Sequence, residues 1–313
     1  MQQRRIGELE VSLVGVGCNN FGAAIDAEAT ARVVHRALDL GVTIFDTADT
    51  YGNRGRSEEF LGQALRGRRD KAVVATKFGM AMDDRQDVAR GSRAYVRDAV
   101  EASLRRLGTD WIDLYQMHRP DPKTPIEETL ETLQRLKEEG KIREIGCSTL
   151  PAWQLVEDQW VARTHALRPF ASCQAEYSLL RRGIEAELVP ALQAYDVKLL
   201  PYFPLASGLL TGKYANRTLP AGARLERSAQ FASRHLSEGN WQRLDALEAI
   251  CAEHGCTILE LAFGWLVSRP FVASIVAGAT SAGQVESNVA AASAAIPAEA
   301  IAAVDALDWK SDV

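Results

Sequence analysis

The sequence of 313 residues lacks the features that mark several classes of protein. Its five cysteines are an odd number, and none of their spacings matches a zinc motif, so we expect reduced thiols that mostly pack as small apolar residues. No apolar run approaches the roughly 18 to 20 residues that a membrane span needs. The first residues, 1–5, do not lead into the apolar stretch of a signal peptide. We therefore predict a cytoplasmic protein with no membrane partner and no metal.

The excess of one sign of charge over the other is also small. The formal net charge is −5, which leaves no basic footprint for nucleic acid, so we expect no nucleic-acid partner. With 47% hydrophobic and 25% charged residues, the composition is that of an ordinary globular chain. Because no linker, composition shift or low-complexity tract divides the chain, we predict one domain over residues 1–313, as a monomer or a small homo-oligomer.

Short β-branched runs alternate with amphipathic helical patterns along most of the chain. A hairpin is predicted over 5–11, and the strand candidates are 13–18, 43–46, 72–76, 111–117, 142–147, 170–174, 197–203 and 273–277. Eight βα units without a dinucleotide fingerprint at the front predict an α/β fold of the (β/α)8 TIM-barrel type rather than a doubly wound sheet. The segment after the seventh strand, 208–240, is too long for a plain βα turn, and we predict a long functional or mobile loop there.

Polar residues recur where the predicted strands end. They follow one another at intervals of roughly one βα unit, about 30 residues. In a barrel this spacing carries them to one face, the carboxyl end of the strands, where chemistry collects. The residues are Asp46, Lys77, His118, Ser148, Gln174 and Tyr202, and Tyr51 follows Asp46 in the same loop.

Each of these residues has a simpler interpretation when taken alone. Lys77 reads equally as a solvated strand end, and His118 as a core histidine held by a backbone carbonyl. Asp46 alone reads as a turn-capping residue. The shared spacing favours a site over these separate interpretations.

The residue types suit protonation of a carbonyl oxygen. A tyrosine holds its proton at neutral pH, and a nearby lysine ammonium makes release easier because opposite charge favours the phenolate. We therefore expect Lys77 to lower the pKa of Tyr51, Asp46 to balance Lys77, and neutral His118 to donate a hydrogen bond to the substrate oxygen. None of these groups supplies a hydride, so a cofactor is implied.

The motifs resemble those of the aldo-keto reductases, in the family's order and over nearly the whole chain. They are residues 46–52 (Asp-Thr-Ala-Asp-Thr-Tyr-Gly), 76–77, 117–121, 146–148, 174–177 and 202–210. The resemblance is to the bacterial branch related to potassium-channel beta subunits. It implies a catalytic tetrad of Asp46, Tyr51, Lys77 and His118, with Tyr51 as the proton donor.

The resemblance also implies a nicotinamide dinucleotide site. Ser148 and Gln174 correspond to the carboxamide contacts, and Tyr202 to the residue stacked under the nicotinamide ring. The pyrophosphate contacts correspond to Leu205, Ser207, Leu210 and Lys213. The adenosine end corresponds to the segment 278–281, with Gly278 and Thr280, and to Gln284 and Asn288.

Two positions depart from the family pattern. Thr149 stands where the family usually has Asn, and Thr280 stands where related bacterial sequences often carry Arg or Lys for the 2′-phosphate. Ser281, backbone N–H groups at the following helix start, or Arg217, Arg224 and Arg227 of the long segment offer other partners. We expect NADP(H) as the preferred cofactor, with NAD(H) as the alternative.

The substrate side is read from residues near strand ends or in loops. Asn20, Phe21, Trp111, Arg119 and Phe203 are expected at the rim of the mouth, although Trp111 reads equally as a core anchor on its strand. Trp153 and Trp160, seven residues apart, are expected on a helix face packed against the barrel. We expect a small-molecule carbonyl or sugar substrate, and the sequence does not distinguish an aldehyde, a ketone and a sugar. The alternatives are an NAD-linked sugar or alcohol dehydrogenase and a cofactor-binding regulatory subunit with little turnover.

Overall fold

A computed structural model of the protein describes residues 1–85, 87–214, 217–219 and 223–307. The strands in these ranges are β1 (Gln3–Ile6), β2 (Leu9–Ser12), β3 (Val14–Gly17), β4 (Ile44–Asp46), β5 (Val73–Phe78), β6 (Ile112–Met117), β7 (Ile142–Ser148), β8 (Ser172–Glu176), β9 (Lys198–Tyr202) and β10 (Ile275–Gly278). β1 and β2 form the predicted hairpin. The other eight lie within two residues of the predicted strands.

The eight strands β3 to β10 form one parallel sheet in the order β10-β3-β4-β5-β6-β7-β8-β9. Its two outer strands meet, because the backbone N–H of Leu199 in β9 donates to Phe271 at 2.8 Å and that of Ala273 donates to Leu199 at 2.9 Å. These bonds close the sheet into a barrel just before β10 begins. The predicted (β/α)8 TIM barrel with an amino-terminal hairpin is confirmed; the prediction of one domain over 1–313 stays a prediction.

Helices surround the barrel, and several of them begin at a side-chain cap. They are α1 (Ala27–Asp39), α2 (Tyr51–Ala64), α3 (Arg93–Leu107), α4 (Ile126–Glu138), α5 (Ala152–Thr164), α6 (Leu188–Tyr195), α7 (Arg224–Arg227), α8 (Ala229–His235), α9 (Glu238–His254), α10 (Ile258–Val267), α11 (Ala282–Ser293) and α12 (Ala298–Ala306). Asp26 caps α1 by accepting from the N–H of Ala29 at 2.8 Å. Thr257 and Glu260 form a reciprocal capping box at α10.

The strand residues alternate between two hydrophobic layers. Side chains such as Phe45, Val74 and Tyr115 face the helices and belong to the large outer core. Their neighbours Ile44 and Ala75 face the barrel axis, in a smaller cluster that also contains Leu114, Leu200, Val276 and the hairpin residues Ile6, Leu9 and Val11. The hairpin therefore packs into the amino end of the barrel and leaves the carboxyl end for the site.

The long connection after β9, the seventh strand of the barrel, is confirmed, but it is not plain loop. It contains a 3-10 helix, Ala206–Thr211, and the short helices α7 and α8 before α9 begins. Arg217 in this connection pairs with Glu238 and Asp245. The side chains of Arg224 and Arg227 lie outside the described part of the structure.

The expectation that Trp153 and Trp160 pack against the barrel is wrong. Both lie on α5 and are 66% and 61% exposed. The seven-residue spacing does place them on one face, but the opposite face is the buried one. It carries Leu155 and also Gln159, which exchanges hydrogen bonds of 2.9 and 3.0 Å with the backbone of Phe170.

In the described part of the chain, no single helix is long and apolar enough to cross a bilayer. Two strongly bent pairs, α9 with α10 and α11 with α12, meet the length and composition requirement only when their members are taken together.

Candidate active site

The strand phase directs the strand-end polar residues into the barrel. Ile44 and Ala75 belong to the inner cluster, and successive side chains of a strand alternate between faces. Asp46 and Lys77, two positions further along β4 and β5, therefore also point inward. His118 follows the last residue of β6, four positions after the inward-facing Leu114, so it points the same way, and its N–H continues the sheet by donating to Phe78 at 2.8 Å.

Asp46 and Lys77 form an ion pair at the centre of the barrel. Nζ of Lys77 donates to Oδ2 of Asp46 at 2.7 Å and to the carbonyl oxygen of Thr47 at 2.8 Å. Oδ1 of Asp46 accepts from Nε2 of Gln174 at 2.5 Å and from Nε2 of Gln116 at 3.1 Å. Burial alone would lower the pKa of Lys77, but Asp46 and Tyr51 outweigh it and the pKa is raised. Lys77 is therefore a buried, charged ammonium.

Tyr51 lies beside this ion pair at the start of α2. Its ring centre is 4.9 Å from Nζ of Lys77 and 5.8 Å from the ring of His118, which it meets edge-on. The next four residues, 52–55, all have positive φ, in the left-handed region that favours glycine. At Gly55, where φ is +119°, an added Cβ would lie 2.5 Å from Cδ of Arg106. Because Gly55 has no side chain, the turn leaves room for Arg106, which holds the next part of α2.

That part of α2 is tied to the strands that carry the ion pair. Oε2 of Glu58 accepts from Nε of Arg106 at 2.6 Å, and Oε1 accepts from Oγ1 of Thr76, next to Lys77, at 2.6 Å. Oγ of Ser57 donates to the carbonyl oxygen of Cys18 at 2.8 Å and lies 2.7 Å from Oγ1 of Thr47. The segment after Tyr51 is therefore fixed against β4 and β5.

The expected lowering of the Tyr51 pKa is wrong in its net direction. The positive charge of Lys77 and its hydrogen bond do lower it, but burial of the phenol contributes more, and the pKa is raised above its usual value. Tyr51 therefore keeps its proton at neutral pH.

His118 is neutral over the physiological range. Burial, followed by the charges of Lys77 and Arg119, lowers its pKa to about 2. Its Nδ1 is buried and has no hydrogen-bond partner among the described residues. A neutral imidazole with an unused nitrogen can donate to, or accept from, a bound molecule.

The low pKa of His118 predicts a change of stability with pH. Between pH 2 and 6.5 the unfolded chain binds a proton here that the folded chain does not, so stability falls as the pH drops below 6.5. The slope is up to about 1.4 kcal/mol per pH unit. From pH 7 to pH 5, His118→Asn should therefore lose about 2 kcal/mol less unfolding free energy than the wild type in urea titrations. An equal loss in both proteins would contradict the buried neutral imidazole.

A cavity of about 640 Å³ opens at this end of the barrel. Its walls include Asp46, Tyr51 and His118 together with most of the residues expected to hold a cofactor. Those are Ser148, Gln174, Tyr202, Leu205, Ser207, Lys213, Gly278, Thr280, Gln284 and Asn288. Of the residues expected at the rim, Asn20, Arg119 and Phe203 also line it.

Three predicted site residues lie elsewhere. Trp111 precedes β6 at the amino end of the barrel, where its Nε1 donates to Asp113 at 3.1 Å and the guanidiniums of Arg69 and Arg143 lie 4.6 and 4.9 Å from its ring. The expected place at the mouth is wrong, because the run 111–117 crosses the barrel and only its far end reaches the mouth; the alternative of a strand anchor fits. The side chains of Phe21 and Leu210 are fully buried in the outer core, and neither residue lines the cavity.

Sequence reasoning missed two residues of the site. Gln116 donates to Asp46 from the barrel interior, and its position two residues before His118 on the same strand was an available signal. Arg234 of α8 lines the cavity and forms an ion pair with Glu176 at the end of β8. No strand phase reveals Arg234, because a long connection brings it to the mouth.

The fold and these side chains define a class of protein: a parallel α/β barrel with a buried acid–base group at the carboxyl end of its strands. Residues 13–308 match the model of the aldo/keto reductase family. The chain is 35% identical over 301 residues to a probable voltage-gated potassium channel subunit beta from Oryza sativa subsp. japonica, covering 93% of this chain and 91% of the relative.

Two further relatives agree. A probable aldo-keto reductase 1 from Glycine max is 34% identical over 288 residues, covering 90% of this chain and 81% of the relative. A probable voltage-gated potassium channel subunit beta from Arabidopsis thaliana is 34% identical over 301 residues, covering 93% of this chain and 91% of the relative. The chain therefore belongs to the aldo/keto reductase family and is an oxidoreductase of that family.

Proposed function

We propose that the protein reduces a carbonyl group of a small aldehyde, ketone or sugar with a nicotinamide dinucleotide, and that Tyr51 donates the proton. The observation that carries this proposal is the contact of Tyr51 with the buried pair of Lys77 and Asp46 at the cavity wall. The dinucleotide, when bound, supplies the hydride to the carbonyl carbon.

The residues of the cavity fit such a dinucleotide. The volume of the cavity, about 640 Å³, lies in the usual range for ligand and cofactor sites. Ser148 and Gln174, which are paired where β7 ends, would hold the carboxamide, and Tyr202 would contact the nicotinamide ring. Lys213 would meet the pyrophosphate. Thr280, Gln284 and Asn288 would hold the adenosine end.

The chain's own residues act on the carbonyl oxygen as negative charge develops there. His118, which stays neutral, orients that oxygen by a hydrogen bond. Tyr51 then gives its proton to the oxygen, and Lys77 stabilises the phenolate that remains. Asp46 keeps Lys77 charged and in place through its bond of 2.7 Å. In the reverse direction Tyr51 would take the proton from an alcohol.

The cofactor preference is open to a direct titration. In this structure the N–H and Oγ1 of Thr280 both donate to Oε1 of Gln284, at 2.7 and 3.1 Å. A 2′-phosphate held by such uncharged groups would gain little, so we expect NADPH to bind more tightly than NADH by no more than about tenfold. Thr280→Arg should raise NADPH affinity by about tenfold and leave NADH affinity nearly unchanged, as measured by fluorescence titration. Tighter binding of NADH by the wild type would overturn the preference for NADP(H) and favour the NAD-linked dehydrogenase.

A second candidate is a cofactor-binding regulatory subunit with little turnover. The observation in its favour is that two relatives carry the name of potassium channel beta subunits. Recovery of a stoichiometric protein partner, together with negligible turnover of a panel of aldehydes, ketones and aldoses, would support it. A cytoplasmic location and a monomeric or small homo-oligomeric state remain predictions.

A further inference from the structure

The rim of the cavity is positively charged, although the chain as a whole carries a net charge of −5. Among the described residues that line the cavity, the cations Arg119, Lys213 and Arg234 face a single carboxylate, that of Asp46. Asp46 is already bound to Lys77. A cleft lined by one sign of charge concentrates ligands of the other sign.

Two of these cations have other partners. Arg234 forms its ion pair with Glu176. Lys213 stands over the ring of Tyr214, with Nζ 5.2 Å from the ring centre. On the proposed function it would meet the pyrophosphate of the cofactor. Neither side chain is a free cation for the substrate.

Arg119 differs from both. It directly follows His118 and is exposed at the cavity wall. Among the described residues it makes no hydrogen bond or ion pair. Its charge helps to lower the pKa of His118, and it partly opposes the rise that burial causes in the pKa of Tyr202, which places the guanidinium near both rings.

The nearest carboxylate in the sequence does not neutralise Arg119. Oδ2 of Asp121 accepts from the N–H of Gly91 and from Oγ1 of Thr124, both at 2.7 Å, and Oδ1 accepts from the N–H of Lys123 at 3.1 Å. Asp121 is therefore committed to its own loop, and the guanidinium beside His118 is left for a ligand.

We propose that the preferred substrates are carbonyl compounds that also carry a carboxylate, and that Arg119 binds that carboxylate while His118 and Tyr51 act on the carbonyl oxygen. This inference rests on the proposed function for the place of the carbonyl. A planar guanidinium presents parallel N–H groups that match the two oxygens of a carboxylate, which favours this anion for a single arginine. Arg119 is on this account a specificity-determining residue.

The test compares 4-formylbenzoate with its methyl ester, which has the same carbonyl but no charge. The measured quantity is the ratio of kcat/KM for the acid to kcat/KM for the ester, with cofactor present. We expect Arg119→Gln to lower this ratio by about tenfold or more, mainly through KM of the acid, and Arg119→Lys to restore part of it. Added salt should lower the wild-type ratio. The control is Arg97→Gln, which changes the net charge by the same amount. Arg97 lies on α3 and pairs with Glu139, so this variant should keep the wild-type ratio.

A calorimetric titration of each compound separates this inference from the proposed function. If the acid binds more tightly than the ester and Arg119→Gln removes that difference, the inference holds even where no turnover is seen and carbonyl reduction has failed. If both compounds turn over and Arg119→Gln leaves the ratio unchanged, the inference is overturned and the proposed function stands. A wild-type protein that binds and reduces the ester as well as the acid also overturns it.

Discussion

Replacing Tyr51 with phenylalanine is expected to lower kcat for carbonyl reduction by about a hundredfold to ten-thousandfold. The phenol is the proposed proton donor, and the ring that remains can still pack against His118, whose ring centre lies 5.8 Å away. Cofactor affinity should stay within about threefold, because the loss is confined to the transition state. Stopped-flow measurement of cofactor absorbance under single-turnover conditions would detect the change.

The matched control for this variant is Tyr95→Phe. Its hydroxyl takes no part in the proposed reaction, because Tyr95 on α3 donates to the carbonyl oxygen of Met80 at 3.1 Å and does not line the cavity. This variant should keep wild-type turnover. Turnover by Tyr51→Phe within a few-fold of the wild type would show that another group delivers the proton.

The second large effect is expected from Lys77→Met, on stability as well as on turnover. Lys77 and Asp46 are both buried and only 2.7 Å apart, so removing the ammonium leaves an uncompensated carboxylate in the barrel. Breaking such a pair from one side costs about 3 to 5 kcal/mol of unfolding free energy. Urea unfolding at pH 7 measures this loss, and cofactor absorbance measures the accompanying loss of turnover.

A double variant separates the two consequences. Lys77→Met combined with Asp46→Asn removes both charges, and the amide can still accept from Gln116 and Gln174 through its oxygen. We expect it to recover most of the stability but none of the turnover, because the charge beside Tyr51 is still missing. A double variant as unstable as the single one would mean that the ion pair is not what holds this part of the barrel.

The barrel and the strand-end residues could be predicted for two reasons. Side chains along a strand return to the same face every two residues, and the sequence changes from apolar to polar residues where each strand ends. Asp46, Lys77 and His118 follow this rule, and the structure brings them together. Tyr51 begins α2, and its position depends on the left-handed turn that follows it and on the bonds of Glu58, which no periodicity records.

The errors have physical reasons too. A helical repeat identifies the face of α5 that carries Trp153 and Trp160, but which face is buried depends on neighbours such as Phe170. The direction of the Tyr51 pKa was missed because a charge pair can be read from the sequence, whereas the depth of burial that opposes it cannot. Arg234 reaches the mouth by a route that only the folded connection after β9 defines.

The amino-terminal hairpin has a consequence for how this molecule can vary. Its side chains Ile6, Leu9 and Val11 fill one end of the barrel, and the ion pair of Arg69 with Asp113 lies at that same end, under Trp111. Substitutions there should change how long the protein survives heat or urea while leaving what it recognises untouched. Stability is thus set at the amino end of the barrel and substrate selectivity at the carboxyl end. A mutation at one end can therefore change its own property without a compensating mutation at the other end.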